Sequence, residues 1–236
     1  MSSQRPRTIF LVELFSGSSS VAKAIARSLP TGARLRVHSV DIHPEYNPTT
    51  ATDLMKWDYR TALQAFLADA KPDDLIWVHA SPPCTEFSRA KTTAPRNLPL
   101  ADGLVRRTLR ILKHAGRLAP DADRFFWTVE NPVGLLRTRP YMQRMEPYRH
   151  TTSYCKWGEN YRKDTDIWTN VPGLELPLCR RGSYCADKAL HGQHLVSAQR
   201  GPTRGETPGS VTGENVYPLP HRLTSHIFRQ ALRGLI

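Results

Sequence analysis

Apolar residues fall along this chain in short dense runs, and each run ends in small, acidic or hydroxyl residues. Thr8-Ile9-Phe10-Leu11-Val12-Glu13-Leu14, Arg36-Val37-His38-Ser39-Val40-Asp41-Ile42, Leu75-Ile76-Trp77-Val78 and Phe125-Phe126-Trp127-Thr128-Val129-Glu130 read as strands, because β-branched and aromatic side chains dominate them. Leu75 to Val78 is apolar throughout, as a strand buried on both faces of a parallel sheet must be. Helical spacing appears between the runs, at Val21 to Ala26 and at Leu104, Leu109, Ile111, Leu112 and Leu118, with basic residues on the opposite face. A third amphipathic helix is predicted from His221 to Leu235. Strands alternating with helices predict an α/β fold built on a doubly wound, mostly parallel sheet.

The ends of the predicted strands carry the candidate chemistry, since open α/β sheets bind ligands beyond the carboxyl ends of their strands. Phe15-Ser16-Gly17-Ser18-Ser19-Ser20 joins the first strand to its helix. Only Gly17 is a glycine, so the three-glycine dinucleotide pattern is not met. Glu13 and a turn of hydroxyls suit a neutral or cationic nucleoside better than a pyrophosphate. Asp41 ends the second strand, where an acid accepts the hydrogen bonds of a ribose diol or caps the next turn. Beyond the third strand stands Ser81-Pro82-Pro83-Cys84-Thr85-Glu86-Phe87-Ser88. Two prolines fix the backbone there, which would present the thiol as a nucleophile; the plain alternative is a small buried thiol in a loop. Glu130 reaches the same rim from the fourth strand, and Asn131-Pro132 is expected to stop that strand.

Taken together and in this order, LFSGSSS, VDIHPEY, SPPCTEFS and TVENP resemble motifs of the DNA cytosine methyltransferases that modify carbon 5 of the base, over roughly residues 8 to 170. The resemblance implies a Rossmann-like, S-adenosylmethionine-dependent fold. It makes Cys84 the thiolate that adds to carbon 6 of a flipped or single-stranded cytosine, and Glu130 the acid that contacts the base. It also implies a cofactor site of Phe15, Gly17, Ser18, Asp41, Ile42, Asp53 and Pro82. In that site Phe15 packs on the cofactor, Gly17 allows close approach, Asp41 meets the ribose and Asp53 the adenine amine. Asp58 stands nearby, as a cap for the helix expected to begin there. The block from Ser153 to Asn170 resembles a further family motif that normally carries glutamine and two arginines. Only Arg162 and Lys163 are basic within it. The contact to the base carbonyl therefore falls to Arg162, unless the two form a solvent-facing pair. The chemistry agrees with the residue types: thiolate addition at carbon 6 makes carbon 5 electron-rich enough to take a methyl group, and a positive field is needed to keep Cys84 ionised.

At 236 residues the chain reads as one catalytic domain with appendages. Residues 1–170 form the catalytic part, 171–212 an irregular basic segment standing where a recognition domain would be, and 213–236 a turn and helix returning to the cofactor. So small a recognition element suits a phage or mobile-element enzyme. Lys and Arg number 33 against 21 Asp and Glu, a net charge of +12 that favours a polyanionic partner. Arg106-Arg107, Arg137, Arg139 and Arg180-Arg181 flank the motifs, and Lys91 to Leu100 reads as a mobile loop offering Arg96 to DNA. No apolar run is long enough to cross a membrane, and Met1 to Arg7 lacks the apolar core of a secretion signal, so an intracellular protein is expected. Four cysteines in a reducing compartment then point to chemistry or metal. Cys179, Cys185 and His194, with Cys155 as a fourth ligand and His191 nearby, could hold zinc and order a segment poor in apolar residues. Unrelated loop thiols and DNA-facing histidines are the alternative. DNA is the expected partner; an RNA cytosine methyltransferase and a catalytically idle basic binding protein are the other readings.

Overall fold

The protein is described by a computed structural model covering residues 7–92, 94–194, 196–197, 201–202 and 218–233. In chain order its elements are β1 (Thr8–Leu14), α1 (Ser20–Ala26), β2 (Arg34–Asp41), β3 (Thr50–Ala51), α2 (Tyr59–Leu67), β4 (Leu75–Ala80), α3 (Leu98–Leu118) and β5 (Phe125–Pro132). There follow α4 (Pro140–Gln143), β6 (Arg149–Ser153), β7 (Tyr161–Arg162), β8 (Asp164–Thr169), α5 (Ala186–His191), β9 (Val196–Ser197), β10 (Gly201–Pro202) and α6 (His221–Arg233). Seven strands form one sheet in the order β3-β2-β1-β4-β5-β8-β6. The five from β3 to β5 run parallel, and β8 is antiparallel to both its neighbours. This is the doubly wound, Rossmann-like sheet that the strand and helix pattern predicts.

Every residue of β1 and β4 is buried, because helices cover both faces of the sheet. Side chains alternate across a strand, so the two faces sort by parity. Ile9, Leu11, Leu75 and Trp77 pack toward α1 and α6, against Val21, Ile25, Leu223 and Phe228. Val12, Leu14, Val78 and Ala80 pack on the other face, toward α2 and α3, against Leu63, Val105 and Leu112. The order of strands reverses between β1 and β4, so the crevice at their carboxyl ends is the place where such a sheet receives a ligand. There the Ser81 amide donates to the Leu14 carbonyl and the Ser16 amide to the Val40 carbonyl, tying the turns after β1 and β4 to the strand ends.

Four departures from the sequence reading have local causes. β5 does not stop before Asn131-Pro132. It continues because β8 pairs with it as far as Pro132↔Thr165, beyond the last β4 partner at Val129. The stretch expected to be a loop up to Leu100 already becomes α3 at Leu98, where the Asn97 side chain accepts from the Leu100 amide and Pro99 occupies the first turn. Arg96, read as a DNA contact, donates instead to the carbonyls of Glu86 and Lys91, each at 2.7 Å. The segment 171–212, read as irregular, contains α5, β9 and β10, and β9 joins β7 through Tyr161↔Val196.

The terminal residues 1–6 and the turn read at 213–217 lie outside the described residues. No helix among the described residues is long and apolar enough to cross a membrane.

Candidate active site

The turn after β1 is held in an uncommon backbone shape, with φ of 57° at Phe15, 43° at Gly17 and 56° at Ser19. Glycine adopts such angles freely, whereas Phe15 and Ser19 do so at a cost that the surrounding contacts must offset. Two buried acids supply those contacts. Glu13 accepts from the amides of Val21 and Ala22 at 3.1 and 3.2 Å, and so fixes the start of α1. Burial dominates its environment and pushes its carboxyl up to about 7. Asp41 accepts from the Gly17 amide at 2.7 Å and from the His43 amide at 2.9 Å. Its carboxylate is thereby a fixed acceptor at the end of β2.

The loop after β4 is braced from β5. Asn131 donates from its side-chain nitrogen to the Pro82 carbonyl at 2.9 Å. The Leu135 amide donates to the Phe87 carbonyl at 2.8 Å, and the Phe87 amide to the Cys84 carbonyl at 3.0 Å. Gly134 lies so close to this loop that a Cβ would collide with the Phe87 carbonyl oxygen. Gly134→Ala is therefore expected to displace the loop carrying Cys84, at about 1–3 kcal/mol of stability. Urea unfolding measures this; an unchanged midpoint together with full activity would show that the packing is slack.

A cavity of about 360 Å³ opens between these turns, lined by Glu13, Phe15, Gly17, Cys84, Glu130 and Lys163 among others. A second, of about 230 Å³, adjoins it across Phe15 and Pro83, and its wall is mostly apolar: Val40, Ile42, Leu54, Met55, Leu100 and Leu104, with Asp41 and Asp53. Ile42, Met55 and Leu100 are among the few large apolar side chains left exposed, at 61%, 43% and 58%. An exposed apolar cluster of that kind inside a cleft is a binding surface.

Cys84 and Glu130, far apart in the sequence, thus face one space. Glu130 is buried, and its contacts converge on Oε1: the Tyr154 hydroxyl donates at 3.2 Å, the Thr165 hydroxyl at 2.5 Å, and the Lys163 ammonium stands at 3.9 Å. Lys163 also reaches the Tyr154 hydroxyl at 3.4 Å. Burial pushes the Cys84 thiol up, the Glu130 carboxylate adds to that rise, and Lys163 opposes it. At the cavity floor His79 bonds Thr128 at 2.6 Å and Ser81 at 3.0 Å, and burial drives its pKa down to about 3, so the ring is neutral.

The other expected residues fall as follows. Phe15, Gly17, Ser18 and Pro82 line the first cavity, and Phe15, Asp41, Ile42 and Asp53 line the second. Asp53 also accepts from the Met55 amide within its own turn, at 2.9 Å, while Asp58 caps α2 through the Thr61 amide. Arg162 is absent from the cavity wall: it is exposed and paired with Asp164 at 2.5 Å. The neighbouring Lys163 takes the inward position. Lys163, between β7 and β8, and Thr165 on β8 both meet Glu130. His79, Tyr154 and Thr165 were not singled out from the sequence.

Several flanking arginines are likewise committed within the protein. Arg137 pairs with the buried Asp166, its Nε at 2.8 Å, and Arg139 with Asp102 at 2.9 Å. Arg107 donates to the Trp57 carbonyl at 2.8 Å. Finally, the Sγ atoms of Cys155, Cys179 and Cys185 and a ring nitrogen of His194 lie within 4.8 Å of one another, in a cluster apart from the cavity.

Sheet order and switch-point crevice define a Rossmann-like α/β fold with an apolar cleft at its ligand-binding edge. Comparison with known proteins agrees. No family model matches the sequence. The chain is 28% identical over 182 residues to a probable DNA (cytosine-5)-methyltransferase of Frog virus 3 (isolate Goorha), covering 74% of this chain and 77% of that protein. Among solved structures, the Entamoeba histolytica methyltransferase EhMeth superposes with a TM-score of 0.50 at 12% identity over 73% of this chain, which spans 56% of that structure. A Spodoptera frugiperda DNMT2 mutant gives 0.43 at 16% identity, covering 72% of this chain and 55% of the other. In its motifs, their order and this viral relative, the chain is similar to the cytosine-5 DNA methyltransferases.

Proposed function

We propose that the protein methylates carbon 5 of cytosine in DNA through a covalent Cys84 adduct. The observation that carries this reading is the joint exposure of Cys84, Glu130 and Lys163 to one cavity that adjoins an apolar cleft. The cleft fits S-adenosylmethionine: Ile42, Met55, Leu100 and Leu104 offer flat apolar contact for a purine, Asp53 an acceptor for its amine, and Asp41 an acceptor held in place for a ribose diol. Bound there, S-adenosylmethionine supplies an electrophilic methyl group.

The protein's own residues prepare the base to receive it. Cys84, as thiolate, forms a bond to carbon 6, and the electron pair displaced from the carbon 5–carbon 6 double bond enriches carbon 5. Glu130, held through Oε1 by Tyr154 and Thr165, keeps Oε2 for a proton shared with ring nitrogen 3, which offsets the charge developing on the ring. Lys163 supplies positive charge to the thiolate side. After methylation solvent takes the carbon 5 proton, the electrons of that carbon–hydrogen bond restore the carbon 5–carbon 6 double bond, and Cys84 departs with the electrons of the carbon–sulfur bond. A stacked base cannot present carbon 6 to this recessed thiol, so the cytosine must be flipped or single-stranded, at about a few kcal/mol. The net charge of +12 suits a phosphate backbone, and the viral relative is named for DNA.

Substituting 5-fluorocytosine for cytosine in duplex DNA tests this directly, because fluorine cannot leave as a proton does. Incubation with S-adenosylmethionine is expected to trap a denaturation-resistant complex whose Cys84 peptide carries both nucleotide and methyl group. Methyl label found only on structured RNA, or on a base other than cytosine, overturns the reading.

A further inference from the structure

We propose that Cys155, Cys179, Cys185 and His194 hold a structural zinc ion that fastens the stretch from Cys179 to His194 to the turn carrying Tyr154. Their four ligand atoms are mutually within 4.8 Å. In a tetrahedral site with zinc–sulfur bonds of about 2.3 Å, neighbouring sulfurs stand roughly 3.8 Å apart, so small adjustments suffice. All three cysteines are free thiols and buried. Nε2 of His194 lies 3.2 Å from the Cys185 sulfur and 3.6 Å from that of Cys179. Three thiolates and an imidazole suit zinc, and four protein ligands close the site, leaving no position for a reacting water.

The surroundings are built for such an ion. The Cys185 amide points at the Cys179 sulfur at 3.4 Å and the Lys188 amide at the Cys185 sulfur at 3.5 Å, the donors that thiolate ligands need around them. Arg180 and Ser183 close the loop between the two cysteines, and Gly182 turns it with φ of +83°. Three thiolates on a divalent ion leave one negative charge. Arg162, whose guanidinium feels the sulfurs of Cys179 and Cys155, stands beside it.

An ion also answers what orders this segment. Helix α5 contains no buried residue and is six residues long, too short to persist without tertiary support. Arg180, Arg181, Gly182, Ser183 and Tyr184 are all exposed, and the cysteines form a buried cluster of their own. Metal binding then supplies the ordering energy that apolar burial does not. The site is also joined to the catalytic wall. Cys155 directly follows Tyr154, the donor to Glu130, and the Cys179 amide donates to Ser153 at 3.0 Å.

The full-length protein, purified without chelator, is expected to carry one zinc per chain by elemental analysis. Stripped of metal and titrated with cobalt under reducing conditions, it is expected to give the intense visible bands of a tetrahedral site and a thiolate-to-cobalt charge-transfer band. Cys179→Ser and Cys185→Ser are expected to lose the ion. His194→Cys, which preserves four ligands, is expected to keep it with a stronger charge-transfer band. Cys84→Ser is expected to keep it unchanged. A wild-type protein that contains no zinc and gives no tetrahedral cobalt spectrum overturns the proposal, as does loss of the ion from Cys84→Ser. These readouts do not depend on methyl transfer.

Discussion

Cys84→Ser is expected to lose methyl transfer by several orders of magnitude while still binding S-adenosylmethionine, because removal of a covalent nucleophile is among the most costly single changes to an enzyme. A serine hydroxyl ionises far less readily than a thiol, and the environment of Cys84 already works against ionisation. Burial raises the thiol most, the Glu130 carboxylate raises it further, and Lys163 opposes both. With the pKa raised, the thiolate fraction at neutral pH is smaller than for a free cysteine, so the reaction is expected to speed up as pH rises through the alkaline range. Removing the ammonium in Lys163→Met takes away the lowering influence and moves that rise to still higher pH. Alkylation by iodoacetamide, read on the Cys84 peptide alone because Cys155, Cys179 and Cys185 are also thiols, follows the same curve without substrate. If Cys84→Ser retained transfer, or Lys163→Met left the alkylation profile where it was, the assignment of nucleophile or of its cation would fall.

The difference between Lys163 and Arg162 marks the limit of what the sequence discloses. The apolar runs at Thr8–Leu14 and Leu75–Ala80 are buried on both faces, so their positions follow from composition alone; Cys84 follows as a residue just past the second of them, and Glu130 from the aromatic run of β5, two residues before that strand ends. That much needs only the period of a strand and the rule that ligands gather at carboxyl ends. The phase of the chain after β6 is another matter. A 3-10 turn over Tyr154–Trp157 and Gly158 at φ 101° reset which side chains face inward, and no periodic run precedes Lys163 to reveal it. Long-range pairing hides other facts in the same way. Arg137 and Arg139 look like surface charge until Asp166 and Asp102 are folded against them. The cluster of Cys155, Cys179, Cys185 and His194 has no tight ligand spacing, because Ser153 and Pro177, which dock its two halves, are brought together only by tertiary contacts such as the Thr152 hydroxyl on the Pro177 carbonyl at 2.6 Å. Pro99 falls in the first turn of α3, where its missing amide costs nothing, and the Asn97 side chain caps that turn, so part of a stretch that reads as a loop is helical.

Glu130→Gln separates the two halves of the proposed chemistry, since it should slow methyl transfer by about 10²–10⁴-fold while making Cys84 easier to ionise. Glutamine is nearly isosteric, and its carbonyl oxygen can still accept from the Tyr154 and Thr165 hydroxyls that orient the glutamate. What it cannot do is pass a proton to ring nitrogen 3 as the thiolate adds. The loss of the carboxylate charge also removes one of the influences that raise the Cys84 thiol, so its alkylation curve should move to lower pH, opposite to Lys163→Met. A more reactive thiol with a slower reaction is the signature of an acid acting on the base rather than on the nucleophile. Burst kinetics on single-stranded and duplex DNA, set beside the alkylation profile of the same preparation, provide the comparison. If the variant transferred methyl groups at the parent rate, Glu130 would be a structural residue on the cavity wall; if thiol ionisation and transfer both fell, its role would be confined to shaping the site around Cys84.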